Sequence, residues 1–80
     1  MVDKATFTKQ MGVFIRTQRH RRQMTIDQLA AASELPYSQI ARIERGKIST
    51  SVYTLYRLAL ALGISFRDMD WEKISSKTGD

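Results

Sequence analysis

The apolar residues of this 80-residue chain recur at intervals of three and four, and no segment alternates with a period of two. That spacing lines apolar side chains along one face of an α-helix and leaves no half-buried strand to pair, so the chain is expected to be all-α. Phe7, Met11, Phe14 and Ile15 trace one such stripe and predict a helix over about residues 6–22. Leu55, Leu58, Ala59 and Leu62 trace another over about 51–62, opened by Ser49 or Thr50 as its cap and closed by Gly63.

Shorter helices lie between and after these two. Thr25 stands three residues before Gln28, a capping-box spacing that ties off the free amides of a helix over about 26–33 with Leu29 and Ala30 facing inward. Pro36 suits a helix start because it lacks an amide that would be unpaired there, which predicts a third helix over about 37–45 with Gly46 as its left-handed cap. Ser65 and Asp68 repeat the capping spacing and predict a fifth helix to about 75, with Phe66 and Met69 inward and a frayed tail over 76–80. Residues 1–80 are expected to form one compact five-helix domain, because a chain of this length supports a single core.

Composition narrows the chemistry. Without cysteine there is no disulfide, thiolate nucleophile or thiolate metal site, and the lone His20 assembles no metal centre, so neither metal nor cofactor is expected. The sequence offers no nucleophile–base pair and no phosphate-cradling glycine loop, so no enzyme is expected. The longest apolar run, Leu58–Ile64, is far shorter than the roughly 18 residues a membrane helix needs. No signal-peptide core is evident at the amino terminus, and the chain reads as soluble and cytoplasmic. Thirteen Lys and Arg against eight Asp and Glu give a net charge of +5, which favours a polyanionic partner. Ten of the cations but only four of the acids lie in residues 1–60, which places the partner surface in the first three quarters of the chain.

The third helix is where that surface acquires a shape. With Ile40 and Ile43 inward, about 100° per residue sends Ser38, Ala41, Arg42 and Arg45 outward, with Tyr37 at the leading edge. A two-turn helix of this kind fits a DNA major groove, where Arg grips guanine through two hydrogen bonds and Ser donates or accepts. Any surface helix of a basic protein shows Arg on its wet side, so the face alone decides little. A capped helix, a four-residue turn and a second helix, with small Ala30 where the two cross, together form a helix-turn-helix arrangement.

Over about residues 10–70 the sequence resembles the lambda-repressor-like (Cro/Xre-type) helix-turn-helix regulators of bacteria and phages. The matching segments are MGVFIRTQR at 11–19, MTIDQLA at 24–30, QIARIERGK at 39–47 and TLYRLALALGIS at 54–65. The resemblance implies that the third helix reads bases, here through Tyr37, Ser38, Ala41 and Arg42, with Ala41 against a thymine methyl. It implies phosphate contacts from the start of helix two, the loop after helix three and the start of helix four, here Thr25, Arg45, Lys47 and Ser51. Helix starts present free amides and a positive dipole end, so even uncharged Thr25 and Ser51 suit an anion. Three positions depart from the family's pattern: Ile26 where a phosphate-binding glutamine is usual, Glu34 where the turn commonly has glycine, and Pro36 in place of a Ser or Thr cap. Glu34 implies either a left-handed residue under strain or a different turn.

Arg19 lies on the Ile15 side of helix one and Glu44 on the Ile40 side of helix three, so opposite charges face a shared core, and the resemblance implies a partly buried ion pair there. Arg16, Arg21 and Arg22 crowd the end of helix one, either as a solvated cluster that suits the helix dipole or, for Arg21 and Arg22, as backbone contacts to DNA. Tyr53, Tyr56 and Leu60 form an outward stripe on helix four, and Trp71 and Ile74 lie beside or opposite the inward residues of helix five. Such surface marks a contact site unless helices one and five cover it. The reading taken is a homodimer joined through Tyr56, Leu60, Trp71 and Ile74, which sets two third helices about 34 Å apart on a palindromic operator in double-stranded DNA.

The function expected is a sequence-specific DNA-binding regulator, a repressor or autoregulator. Two alternatives stand beside it. An antitoxin with a toxin partner, or a restriction-modification controller, shares this fold and length. A protein-interaction module that no longer reads an operator is the other, in keeping with Ile26 and Pro36.

Overall fold

The computed structural model describes residues 1–69 and 71–74, and the expected tail over 76–80 lies outside them. Five α-helices and one 3-10 turn follow each other in the order α1 (Lys4–Arg21), α2 (Ile26–Ser33), α3 (Tyr37–Glu44), α4 (Val52–Leu62), the 3-10 turn Phe66–Asp68, and α5 (Trp71–Ile74). Among the described residues there is no strand, and no helix is long and apolar enough to cross a membrane.

Three of the helices, α1, α2 and α4, begin where a side chain accepts from a free amide of the first turn. The Asp3 carboxylate accepts from the Thr6 amide at 2.7 Å, which starts α1 at Lys4, before the apolar stripe itself begins. At α2 both halves of the capping box are present: Thr25 Oγ1 accepts from the Gln28 amide at 3.1 Å, and Gln28 Oε1 accepts from the Thr25 amide at 2.8 Å. The fourth helix is capped by Ser51, whose Oγ accepts from the Thr54 amide at 3.1 Å, so the cap is neither Ser49 nor Thr50 and the helix opens at Val52. Pro36 opens α3 with no side-chain cap bond.

α1 packs on α3, and α2 lies against both α3 and α4, while α4 and α5 also touch α1. Ile15, Leu29, Ile40, Ile43, Leu58 and Leu62 are fully buried where these helices meet, with Met11, Leu55, Met69 and Ile74 completing the core. Phe7 and Phe14 are half-buried against its edge. A close approach falls on Gly12: a Cβ at residue 12 would collide with the Ile43 carbonyl oxygen and come within 2.8 Å of the Glu44 carbonyl oxygen. Gly12 therefore lets the end of α3 rest directly on α1.

Four expectations about the last quarter are corrected. The fifth helix is not continuous, because the 3-10 turn Phe66–Asp68 is followed by Met69 in an extended conformation, φ −78° and ψ 130°. Ser65 Oγ donates to Asp68 Oδ2 at 3.0 Å and caps no backbone amide. The extended residue resets the helical phase. Phe66 consequently faces solvent, Met69 is buried, and Ile74 turns into the core with 4% of its surface left exposed. Burying an isoleucine contributes about 1.5–3 kcal/mol, which the break in the helix makes available. Ile74 is therefore a core residue, not part of an exposed dimer surface.

Candidate nucleic-acid interface

α3 stands on its two buried isoleucines. Ile40 and Ile43 lie on the face turned to α1 and α2, which leaves Tyr37, Ser38 and Arg42 exposed and Ala41 half-buried at the edge. The helix ends at Glu44, so Arg45 is its C-cap, φ −85°, and Gly46 takes the left-handed turn at φ 72° one residue later. Lys47 follows, its amide donating to the Arg42 carbonyl at 2.9 Å. Arg42, Arg45 and Lys47 are exposed and take part in no ion pair among the described residues, so their charge is uncompensated locally. One short helix and its exit thus present three cations, a hydroxyl and a phenol to solvent.

Thr25 and Ser51 are exposed at the starts of α2 and α4. Each hydroxyl oxygen accepts from its own helix, and the Ser51 hydroxyl also donates to Thr54 Oγ1 at 3.0 Å, so what the two sites share for an anion is the amides of the first turn and the dipole, with the Thr25 hydroxyl proton as a further donor. Ile26, in the position opening α2, is half-buried and packs on the core.

The scaffold holds α3 through charge as well as apolar contact. Arg19 Nε donates to Glu44 Oε2 at 2.7 Å and Nη2 to Glu44 Oε1 at 2.9 Å, a two-pronged bridge with side chains 9% and 5% exposed. Arg19 Nη1 also donates to the Met24 carbonyl at 2.8 Å, so one guanidinium joins α1, the approach to α2 and the end of α3. The hydrogen bond to Glu44 raises the Arg19 pKa above its ordinary value, against a smaller opposing effect of burial.

Glu34, the C-cap of α2, has φ 58° and ψ 38°, so the turn keeps the left-handed geometry that glycine usually supplies. Its amide donates to the Ala30 carbonyl, and the next amide, of Leu35, donates to the same oxygen at 3.2 Å. Sequence reasoning passed over Arg57, which reaches this turn from α4: Nε donates to the Ser33 carbonyl at 2.9 Å and Nη2 to Glu34 Oε1 at 3.0 Å. The available signal was that Arg57 is the only charged residue in α4. Arg16 and Arg21 are exposed, as is Arg22, whose Nη2 donates to the Gly63 carbonyl at 3.2 Å and ties the end of α1 to the end of α4. Tyr56, Leu60 and Trp71 are exposed, and Tyr56 lies 6.4 Å from Tyr53, ring centre to ring centre.

A helix, a tight left-handed turn and a second helix with an exposed cationic face define a DNA-binding helix-turn-helix protein. A helix-turn-helix family model matches residues 15–69, and the chain belongs to that family. The match agrees with the resemblance to the lambda-repressor-like (Cro/Xre-type) regulators. Among solved structures, the chain is similar to the restriction-modification controller protein C.AhdI from Aeromonas hydrophila, with 25% sequence identity and a TM-score of 0.71. The similarity covers 84% of this chain and 94% of that one. No curated protein sequence matches the chain.

Proposed function

We propose that this protein binds double-stranded DNA at specific sequences and regulates transcription as a dimer on a palindromic operator. The observation that carries the reading is the outer face of α3, where Tyr37, Ser38 and Arg42 are exposed and the cation, Arg42, is in no ion pair among the described residues. A major groove takes such a helix, with Tyr37, Ser38, Ala41 and Arg42 meeting base edges. Arg45 and Lys47, and the amide-rich starts of α2 behind Thr25 and of α4 behind Ser51, meet the phosphates. Repression follows when the occupied operator overlaps a promoter, and autoregulation when that promoter is the protein's own.

The likeness to C.AhdI favours a particular form of this reading, a restriction-modification controller. It differs from a plain repressor in the neighbouring gene it controls and not in how it holds DNA. An antitoxin role, or a module that only binds other proteins, has no observation of its own in the structure.

Selection of bound sequences from a random duplex pool tests the proposal, followed by titration of the selected duplex and a scrambled one at several salt concentrations. Expected are a recovered palindrome and an affinity that falls steeply with salt, as counterions displaced by Lys and Arg return to the phosphates. A pool that never departs from random would refute sequence-specific binding.

A further inference from the structure

We propose that Arg57 is a positioning residue for base reading, which clamps the turn between α2 and α3 and so sets where Tyr37 and Ser38 stand. The inference rests on the duplex-binding reading above and concerns a residue of α4 that is not part of the α3 surface.

All three nitrogens of the guanidinium are engaged. Nε donates to the Ser33 carbonyl at 2.9 Å, Nη2 to Glu34 Oε1 at 3.0 Å, and Nη1 to Tyr53 Oη at 2.7 Å. The guanidinium carbon also lies 5.4 Å from the centre of the Tyr53 ring, which fixes the side chain against its own helix. Ser33 is the last residue of α2 and Glu34 is the left-handed residue that turns the chain, so the clamp closes on the two residues that set the direction of α3.

The contacts to Ser33 and Glu34 each answer a need the turn itself creates. In a continuing helix the Ser33 carbonyl would accept from residue 37, but α3 starts there on a new axis, and Arg57 supplies the donor instead. A non-glycine residue at φ 58° is held by its surroundings rather than by its own preference. The carboxylate contact from α4 is one such restraint. Only Leu35 and Pro36 separate Glu34 from the first residue of α3, so a change of a few degrees at the turn moves Tyr37 and Ser38 directly. Lysine would not replace the clamp, because one ammonium cannot spread its donors over three acceptors as a planar fork does.

The test uses the full chain with Arg57→Ala, Arg57→Lys, Glu34→Gly, and Arg57→Ala combined with Glu34→Gly. Affinity is measured on the selected duplex and on a scrambled one, together with amide hydrogen exchange and melting. Arg57→Ala is expected to weaken the selected duplex about tenfold and the scrambled duplex by about twofold or less. It should also speed exchange at the Leu35 amide while leaving Leu58 protected. Arg57→Lys should recover only part of the loss. Glycine adopts the turn's geometry without help, so in the Glu34→Gly background Arg57→Ala should cost clearly less than it does alone.

Equal losses on both duplexes with a matching fall in melting temperature would reduce Arg57 to a general stabiliser and overturn the proposal. An unchanged Leu35 exchange rate, or an unchanged preference for the selected duplex, would overturn it as well. A wild-type chain that selects no duplex removes the DNA-binding reading and the base-reading role together, an outcome distinct from a wild type that selects while Arg57→Ala selects equally well.

Discussion

A charged residue inside this protein is legible from sequence only when its partner's position is also fixed by a helix. Arg19 and Glu44 meet that condition, since each lies four residues beyond a fully buried isoleucine, Ile15 and Ile40, and so shares its face. Replacing Glu44 by glutamine keeps the shape but leaves the Arg19 guanidinium without its counter-charge. Glu44→Gln is expected to lose about 3–5 kcal/mol of stability in urea unfolding, and an unchanged midpoint would contradict a structural bridge. Arg57 fails the same condition. Its partners on the turn are a backbone carbonyl and an exposed carboxylate 24 and 23 residues away, and neither follows a periodic pattern. On the outer face of α3 the proposed roles divide by position. Arg42→Ala should relax base preference by about 1–3 kcal/mol, whereas Lys47→Ala should weaken all duplexes alike and flatten the salt dependence. Titration of selected and scrambled duplexes separates the two, and an identical loss pattern for both variants would reverse the assignment.

At the scale of elements, what could be read were apolar stripes and caps, whose signals run along the chain itself. The Thr25 and Gln28 capping box is such a signal, and both of its hydrogen bonds are present. It matters because α2 has only eight residues, too few to persist without a cap and tertiary contacts. Thr25→Ala is expected to cost about 1 kcal/mol in thermal or urea unfolding. Duplex binding should fall by little more than that, because the first-turn amides proposed to face a phosphate remain. A much larger loss of binding with normal melting would show that the hydroxyl itself holds the phosphate. The fifth helix departs from its local signal because the core sets its course. Ser65 and Asp68 have the spacing of a cap, but the core draws Met69 and Ile74 inward together, and only an extended Met69 lets both point there. That choice is tertiary and leaves no mark in local spacing. Gly12 is similar, since a glycine inside a helix reads as a weak point until the carbonyls of Ile43 and Glu44 are seen resting on it.

For the whole molecule, burial decides which surface is free to hold a second copy. Of the four residues first assigned to an interface, Ile74 is in the core, while Tyr56, Leu60 and Trp71 are 50%, 63% and 43% exposed. Tyr53, Tyr56 and Leu60 occupy one stripe of α4, and its single cation is spent on Ser33, Glu34 and Tyr53, so the stripe offers a partner almost no free charge. A two-fold axis beside such a stripe would bring like against like without burying an unpaired ion. Leu60→Glu tests this at little cost to folding, because the side chain already meets water. The variant is expected to melt within about 0.5 kcal/mol of the wild type, to sediment as a monomer, and to lose most of its affinity for a two-half-site duplex while keeping that for a single half-site. Ile74→Glu, by contrast, places a carboxylate in the core and should unfold the chain before any question of assembly arises. A Leu60→Glu protein that still sediments as a dimer would move the two-fold axis elsewhere, and with it the spacing of the two α3 helices on the operator.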